Sequence, residues 1–334
     1  MNYINPSPIK AAITAVGAYV PGEKLTNADL EKMVDTNDEW IVARTGISER
    51  RILKDPSKGT SFMAIKAAQD LLNQRKLDPE EIDAVILATI TPDMNVAATA
   101  AYVASEIGAT NAFAYDLQAA CSGFLFGMSN ASNMIASGRY QKVLLIGADK
   151  MSSIIDYSDR TTCIIFGDGA GAVLFESSKS DYGWEDEYLR SDGNGRMFLN
   201  IKAGGSLFPT TEETLQGGLH NLYQDGKTVF KYAVSEMTNA VEQIIERNEI
   251  DPENISYLVP HQANKRIIDA IAKRVGLPDR KVMSNIEYFG NTTAATLPLL
   301  LKDYESKLSP GDQLVFAAFG GGFTWGAAYL TWAY

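Results

Sequence analysis

Two cysteines and two histidines are all that 334 residues hold of the side chains that most often do covalent and acid–base chemistry. So few thiols exclude a disulfide framework and fit a reducing compartment, which predicts a cytoplasmic protein. Nowhere do about eighteen apolar residues run together, so no membrane-spanning helix is expected. The opening MNYINPSPIK is polar and lacks the charged-then-apolar pattern of an export leader. Positive charge is scarce: 30 Lys and Arg against 41 Asp and Glu leave a formal net charge of −11. That balance argues against a nucleic-acid partner, because phosphate binding needs a basic face, but leaves room for a local basic patch. Proline-, glycine- or serine-rich linkers are missing too, so nothing in the composition cuts the chain into pieces.

What is present is an internal echo. Residues 77–83 read LDPEEID and residues 250–256 read IDPENIS, each after an amphipathic helical pattern and before a short apolar run of strand type. Asp78 and Asp251 are 173 residues apart; Cys121 and Asn291 are 170 apart, and Val143 and Leu314 are 171 apart. An aspartate–proline pair alone is a common helix-start signal, but a near-constant offset over some seventy residues is a duplication. Alternating strands and helices predict an α/β fold with largely parallel, covered sheets, in two similar halves, residues 1–180 and 181–334. TTCIIFGDGAGAVLFES (161–177) reads as two strands around a glycine-rich turn. Gly167, Gly169 and Gly171 do not make a dinucleotide fingerprint, because the following AVLFES is strand-like where that motif needs a helix.

Duplicated halves set equivalent elements face to face, and the segment ends so placed hold a thiol, an imidazole, an amide and a glycine-rich backbone. Cys121, in QAACSGF, is either a small buried hydrophobe or a reactive thiol whose pKa a helix N-terminus lowers. Cys163, in an apolar run, reads as core. His261 follows the apolar strand ending at Pro260, a sheet edge where α/β sites form; His220 reads as a loop residue. Asn291, in FGNTTAAT, is either a helix N-cap or the third member of a Cys/His/Asn set. Such a set serves thiol proteolysis or carbon–carbon bond formation on thioesters. The 140-residue Cys–His separation suits a thiol protease, but no CGSCW-like signature surrounds Cys121 and proteolysis leaves the duplication unexplained.

The longer motifs favour the second use. NDEWIVARTGISERR (37–51), AACSGF (119–124), FGDGAGAV (166–173), DGKTVFKYAV (225–234), VPHQANKRI (259–267), YFGNTTAAT (288–296) and AFGGGFTWGA (318–327) together resemble the β-ketoacyl-acyl-carrier-protein synthase III family of the thiolase-like superfamily, across essentially the whole chain. The resemblance implies an αβαβα sandwich of two pseudo-symmetric halves and a homodimer. It implies decarboxylative condensation of an acyl-coenzyme A primer with malonyl-acyl carrier protein, initiating type II fatty-acid synthesis with no metal or redox cofactor. Cys121 would be the nucleophile, and the Cys121 and Gly321 N–H groups the oxyanion hole. His261 and Asn291 would donate hydrogen bonds to the malonyl thioester carbonyl. Trp40, Arg44 and Arg160 would contact the coenzyme A nucleotide. Lys231, Arg266, Lys273 and Arg274 would form a basic surface steering an acidic carrier protein. Val96 and Phe319 are placed at the acyl pocket. Many relatives carry an aromatic residue where this chain has Val96, supplied across the dimer, so a primer longer or more branched than acetyl is expected to fit. A specialised polyketide-type condensing enzyme, a thiol hydrolase and a non-catalytic carrier-binding relative remain as alternatives.

Overall fold

The computed structural model describes residues 9–334; the first eight residues of the polar opening segment lie outside it. Strands β1 (Ala11–Tyr19), β2 (Ala84–Ala88), β3 (Phe113–Leu117), β4 (Lys142–Asp149) and β5 (Gly169–Ser177) form one sheet in the order β1-β5-β4-β2-β3. Strands β6 (Gly183–Ser191), β7 (Ile255–Pro260), β8 (Gln313–Gly320) and β9 (Thr324–Thr331) form a second, in the order β7-β8-β9-β6. The echo in the sequence is visible here: β2 and β7 begin 171 residues apart, as do β4 and β8. Where the first sheet has β3, the second has a single parallel bridge, Leu258 to Val282.

The sheets are mixed and not largely parallel. β2 runs parallel to β3 and β4, but β5 is antiparallel to both β4 and β1. The second sheet repeats this, with β9 antiparallel to β8 and β6. Residues 321–323 alone join β8 to β9, and a link so short permits only a hairpin, since a parallel pair needs a crossover of a dozen residues or more. The 161–177 segment is also corrected: residues 161–165 are turns, and only Gly169–Ser177 is a strand. Cys163 is buried as expected, at a turn and not in a strand.

Helices α1 (Asp38–Thr45), α2 (Thr60–Arg75), α3 (Thr99–Ile107), α4 (Gly123–Ala136), α5 (Gly226–Arg247), α6 (Lys265–Val275) and α7 (Thr296–Tyr304) complete the frame. The strands explain the layering. Along β4, Val143 and Leu145 enter the central core with Phe124 and Met128 of α4 and Leu300 of α7. Leu144 and Ile146 face the other way, against Met63, Ala67 and Leu71 of α2. Along β8, Leu314 and Phe316 join the central core while Val315 and Ala317 meet Val241 of α5 and Ile271 of α6. Side chains alternate across a strand, so a sheet covered on both faces needs an unbroken apolar run. The result is an αβαβα sandwich of thiolase-like fold, with α4 and α7 as the shared inner layer. No helix among the described residues is long and apolar enough to cross a membrane.

Candidate active site

Cys121 lies in a short 3-10 turn, Ala120–Ser122, that leads from the first sheet into α4. Ala120 just before it has φ 47°, a left-handed conformation that costs a residue bearing a Cβ about 1 kcal/mol or more. The surroundings hold that turn in place. Ser122 Oγ and Thr324 Oγ1 each lie 2.8 Å from Ala119 O, and 2.7 Å from each other. Gly320, the last residue of β8, packs against the same backbone: a Cβ there would sit 2.8 Å from Cys121 N. Only glycine lets the strand end come so close.

The second half builds the matching turn, Thr293–Ala295 before α7, with Thr293 at φ 52°. The structural counterpart of Cys121 is therefore Ala294, and Asn291 stands three residues earlier than its 170-residue offset implies. Asn291 is fixed on both sides. Its backbone N–H donates to Ile165 O at 2.9 Å, and its carbonyl accepts from Gly167 N at 3.0 Å. Its Oδ1 accepts from Thr293 N at 2.9 Å, which settles the amide orientation and leaves Nδ2 to donate. Capping and chemistry are thus two ends of one side chain.

His261 follows the last residue of β7; its N–H donates to Ala317 O at 2.7 Å. Gln262 behind it accepts from Asn285 N and Ile286 N, both at 3.1 Å, and Asn264 caps α6 while donating to Arg44 O at 2.9 Å. The HQAN run is therefore one functional side chain held between structural ones.

Cys121, His261, Asn291, Gly321 and Phe319 all line one cavity of about 850 Å³, with Arg44 and Arg266 among its charged residues. Trp40 and Arg160 stand beside it. The Arg44 and Arg160 guanidinium groups lie 4.7 and 5.0 Å from the Trp40 ring centroid, so the three form one cluster. Lys231, Lys273 and Arg274 are exposed and outside the cavity, and Glu242 lies 3.5 Å from Arg274. Val96 is not part of the cavity within one chain. It is entirely exposed, with φ 74°, on the loop after β2. That conformation is a genuine outlier for a β-branched residue.

Burial dominates the electrostatics. It pushes the Cys121 thiol up to about 12, with the charge of Asp149 adding to the effect. The lowering expected from a helix N-terminus is outweighed, because the sulfur sits deep beside a carboxylate. Burial also holds His261 down at about 3, so its imidazole is neutral. Asp149, at the end of β4, is wholly buried and its pKa is raised by that burial. Its oxygens accept from Ile90 N at 2.8 Å, from Thr89 Oγ1 at 3.0 Å and from the Thr293 hydroxyl. One carboxylate thereby ties together loops from both halves. Asp149 went unremarked in the sequence, as did Arg196 and Lys227, which also line the cavity. No local motif marks them.

A thiol, a neutral imidazole and a carboxamide brought to one cavity by the two halves of a thiolase-like sandwich define a condensing enzyme of the Cys/His/Asn type. Two family models match the chain: 3-oxoacyl-[acyl-carrier-protein] synthase III over residues 115–193, and the C-terminal part of the same family over residues 245–332. The chain belongs to that family. The β-ketoacyl-[acyl-carrier-protein] synthase III of Phocaeicola vulgatus is 54% identical over 326 residues, 98% of each chain. The solved β-ketoacyl-[acyl-carrier-protein] synthase III of Thermus thermophilus superposes with a TM-score of 0.89 at 42% identity, covering 96% of this chain and 99% of its own. The priming β-ketosynthase of the R1128 polyketide pathway gives 0.89 at 30% identity, over 100% of both chains.

Proposed function

We propose that this condensing enzyme moves an acyl group from coenzyme A onto Cys121, then joins it to malonyl held on acyl carrier protein as carbon dioxide leaves. The product is a 3-oxoacyl-carrier protein, and the step opens fatty-acid synthesis. One observation carries the reading: Cys121, His261, Asn291 and Gly321 face a single cavity that also presents Arg44, Arg196, Lys227 and Arg266. Positive side chains at such a cavity suit the phosphates of coenzyme A and of a phosphopantetheine arm. The backbone N–H groups of Cys121 and Gly321 would hold the tetrahedral oxyanion, and Asn291 Nδ2 would donate to the malonyl carbonyl. The thioesters themselves carry the chemistry, so the reading requires no resident cofactor. The higher identity to the Phocaeicola vulgatus protein than to the polyketide priming enzyme favours the fatty-acid role over a specialised one.

The nucleotide of coenzyme A is assigned to the Trp40, Arg44 and Arg160 cluster. Stacking a base on an aromatic ring contributes about 1–3 kcal/mol. Trp40→Ala should therefore raise KM for the acyl-coenzyme A about 5- to 50-fold with kcat nearly unchanged, because the contact is the same in ground and transition states. Steady-state kinetics at varied acyl-coenzyme A checks this.

Lys231, Lys273 and Arg274, with Arg266 at the cavity, are assigned to carrier docking. Charge reversal at exposed Lys273 should lower kcat/KM for the malonyl-carrier by about three- to tenfold, an effect that fades as salt is added. Acyl loading from coenzyme A should stay unchanged in the same variant.

A homodimer is proposed across β3. It is the edge strand of the first sheet, and Phe113, 43% exposed, stacks on Tyr115 at 6.4 Å and lies 5.3 Å from Tyr140. An unpaired apolar edge is a template for a second copy. In such a dimer the exposed Val96 loop of one copy would close the acyl pocket of the other, where a small valine leaves room for longer or branched primers.

The test is direct. Incubate the protein with acyl-coenzyme A thioesters of graded length, look for the acyl adduct by intact mass, then add malonyl-carrier protein and look for the 3-oxoacyl product. Adducts that never condense, or peptide cleavage in their place, would sink the reading.

A further inference from the structure

The hydrogen bonds behind His261 determine which of its ring nitrogens carries the proton. His261 Nδ1 lies 2.7 Å from Thr296 Oγ1, and Thr296 Oγ1 lies 3.0 Å from Thr293 O. Both His261 and Thr296 are 1% exposed, and Nε2 has no hydrogen-bond partner among the described residues. A hydroxyl has a single proton to give. If it goes to Thr293 O, both bonds form, provided Nδ1 holds the ring hydrogen. If it goes to Nδ1, the bond to Thr293 O is lost, at about 1 kcal/mol. Threonine at a helix start favours the first arrangement independently, since its hydroxyl commonly bonds back to the carbonyl three or four residues earlier. Thr296 is the first residue of α7 and Thr293 lies three before it.

We propose that Thr296 is a positioning residue that holds His261 as the Nδ1–H tautomer, so that the Nε2 lone pair faces the cavity and takes the proton of the Cys121 thiol during acyl transfer. The inference rests on the function proposed above. The S–H bond of Cys121 breaks and its proton passes to Nε2 as Sγ bonds to the thioester carbonyl carbon. The carbon–sulfur bond to coenzyme A then breaks, and Nε2 returns the proton to the departing thiolate. Cys121 is left acylated, coenzyme A leaves as a free thiol, and the imidazole is neutral again. A base is needed here because burial keeps the thiol protonated. In the same tautomer Nε2 cannot donate to the malonyl carbonyl, so the side-chain hydrogen bond in the condensation half falls to Asn291.

With only two histidines, ring-nitrogen NMR of histidine-labelled protein gives the answer directly, and a His220→Gln background assigns the signals. The free protein should show a protonated Nδ1 and a bare Nε2 for His261; a protonated Nε2 overturns the proposal. Thr296→Val should lose the single tautomer and slow formation of the acyl adduct about a hundredfold, whereas Thr296→Ser should keep both. Equal loading rates in the valine and serine variants would also overturn it. If Thr296→Val does not fold, the wild-type spectrum alone decides. If the wild type forms no acyl adduct while the spectrum shows Nδ1–H, the proposed function has failed and the tautomer has not.

Discussion

Cys121→Ala should abolish the acyl adduct and lower condensation by on the order of 10⁴- to 10⁶-fold, the scale seen when the nucleophile of a concerted catalytic set is removed. The side chain is 6% exposed and loses only a sulfur, so the variant should fold like the parent. Intact mass after incubation with acyl-coenzyme A reads the first effect, and product assay the second. An adduct that survives in Cys121→Ala would remove the nucleophile assignment. The unloaded protein offers a second readout. Burial pushes Cys121 up to about 12 and Cys163 up to about 11, so both are thiols at neutral pH. The thiolate fraction of a group titrating far above the working pH grows tenfold per pH unit. Alkylation of Cys121 by a small neutral reagent should therefore be slow at pH 7 and climb steadily toward pH 10. A fast, pH-independent reaction at pH 7 would mean a thiolate held by some contact other than those described.

The same environment explains what the sequence could and could not reveal. The duplication was legible because β2 and β7, and β4 and β8, keep one offset of 171 residues, and strands covered on both faces leave unbroken apolar runs. The mixed sheet was not, since strand direction depends on the three-residue link between β8 and β9 and not on apolar pattern. Cys121, His261 and Asn291 could be found because each ends a recognisable segment, though pairing Cys121 with Asn291 missed the true counterpart by three residues. Ala294, which stands in that place, has no side chain to attract notice.

The residues that escaped are those whose role exists only after folding. Asp149 looks like any strand-end aspartate, yet it accepts from Thr89, Ile90 and Thr293, segments some 60 to 144 residues away. Arg196 and Lys227 come from separate loops and meet at the cavity. Thr296 reads as one more small residue in NTTAAT. The strained positions follow the same rule. Four of the six non-glycine residues with positive φ, Ala120, Thr293, Phe323 and Val96, lie at the turns that carry Cys121, follow Asn291, precede β9 or form the exposed loop assigned to the pocket. Backbone strain of this kind persists where the surrounding contacts fix it, which is why it gathers at a site.

Asn291→Ala should separate the two halves of the reaction. Acyl transfer onto Cys121 requires the thiol, His261 and the backbone N–H groups, none of which depends on the Asn291 amide, so the adduct should form at close to the parent rate. Loss of carbon dioxide from malonyl places negative charge on the thioester carbonyl, and Nδ2 is the donor left free to meet it, because Oδ1 is occupied by Thr293 N. Removing one such donor typically costs on the order of 100- to 1,000-fold. Condensation should fall by that factor, with acyl-enzyme accumulating to full occupancy. Asn291→Asp should fare no better, since a carboxylate has nothing to donate and would repel the developing enolate. The alanine variant also loses the cap on the Thr293–Ala295 turn, which costs about 1 kcal/mol and should show as a small fall in Tm. Equal loss of loading and condensation would mean that the turn itself had moved, and with it the role given to the amide. Full adduct with condensation down a hundredfold or more would fix that role in the second half-reaction alone.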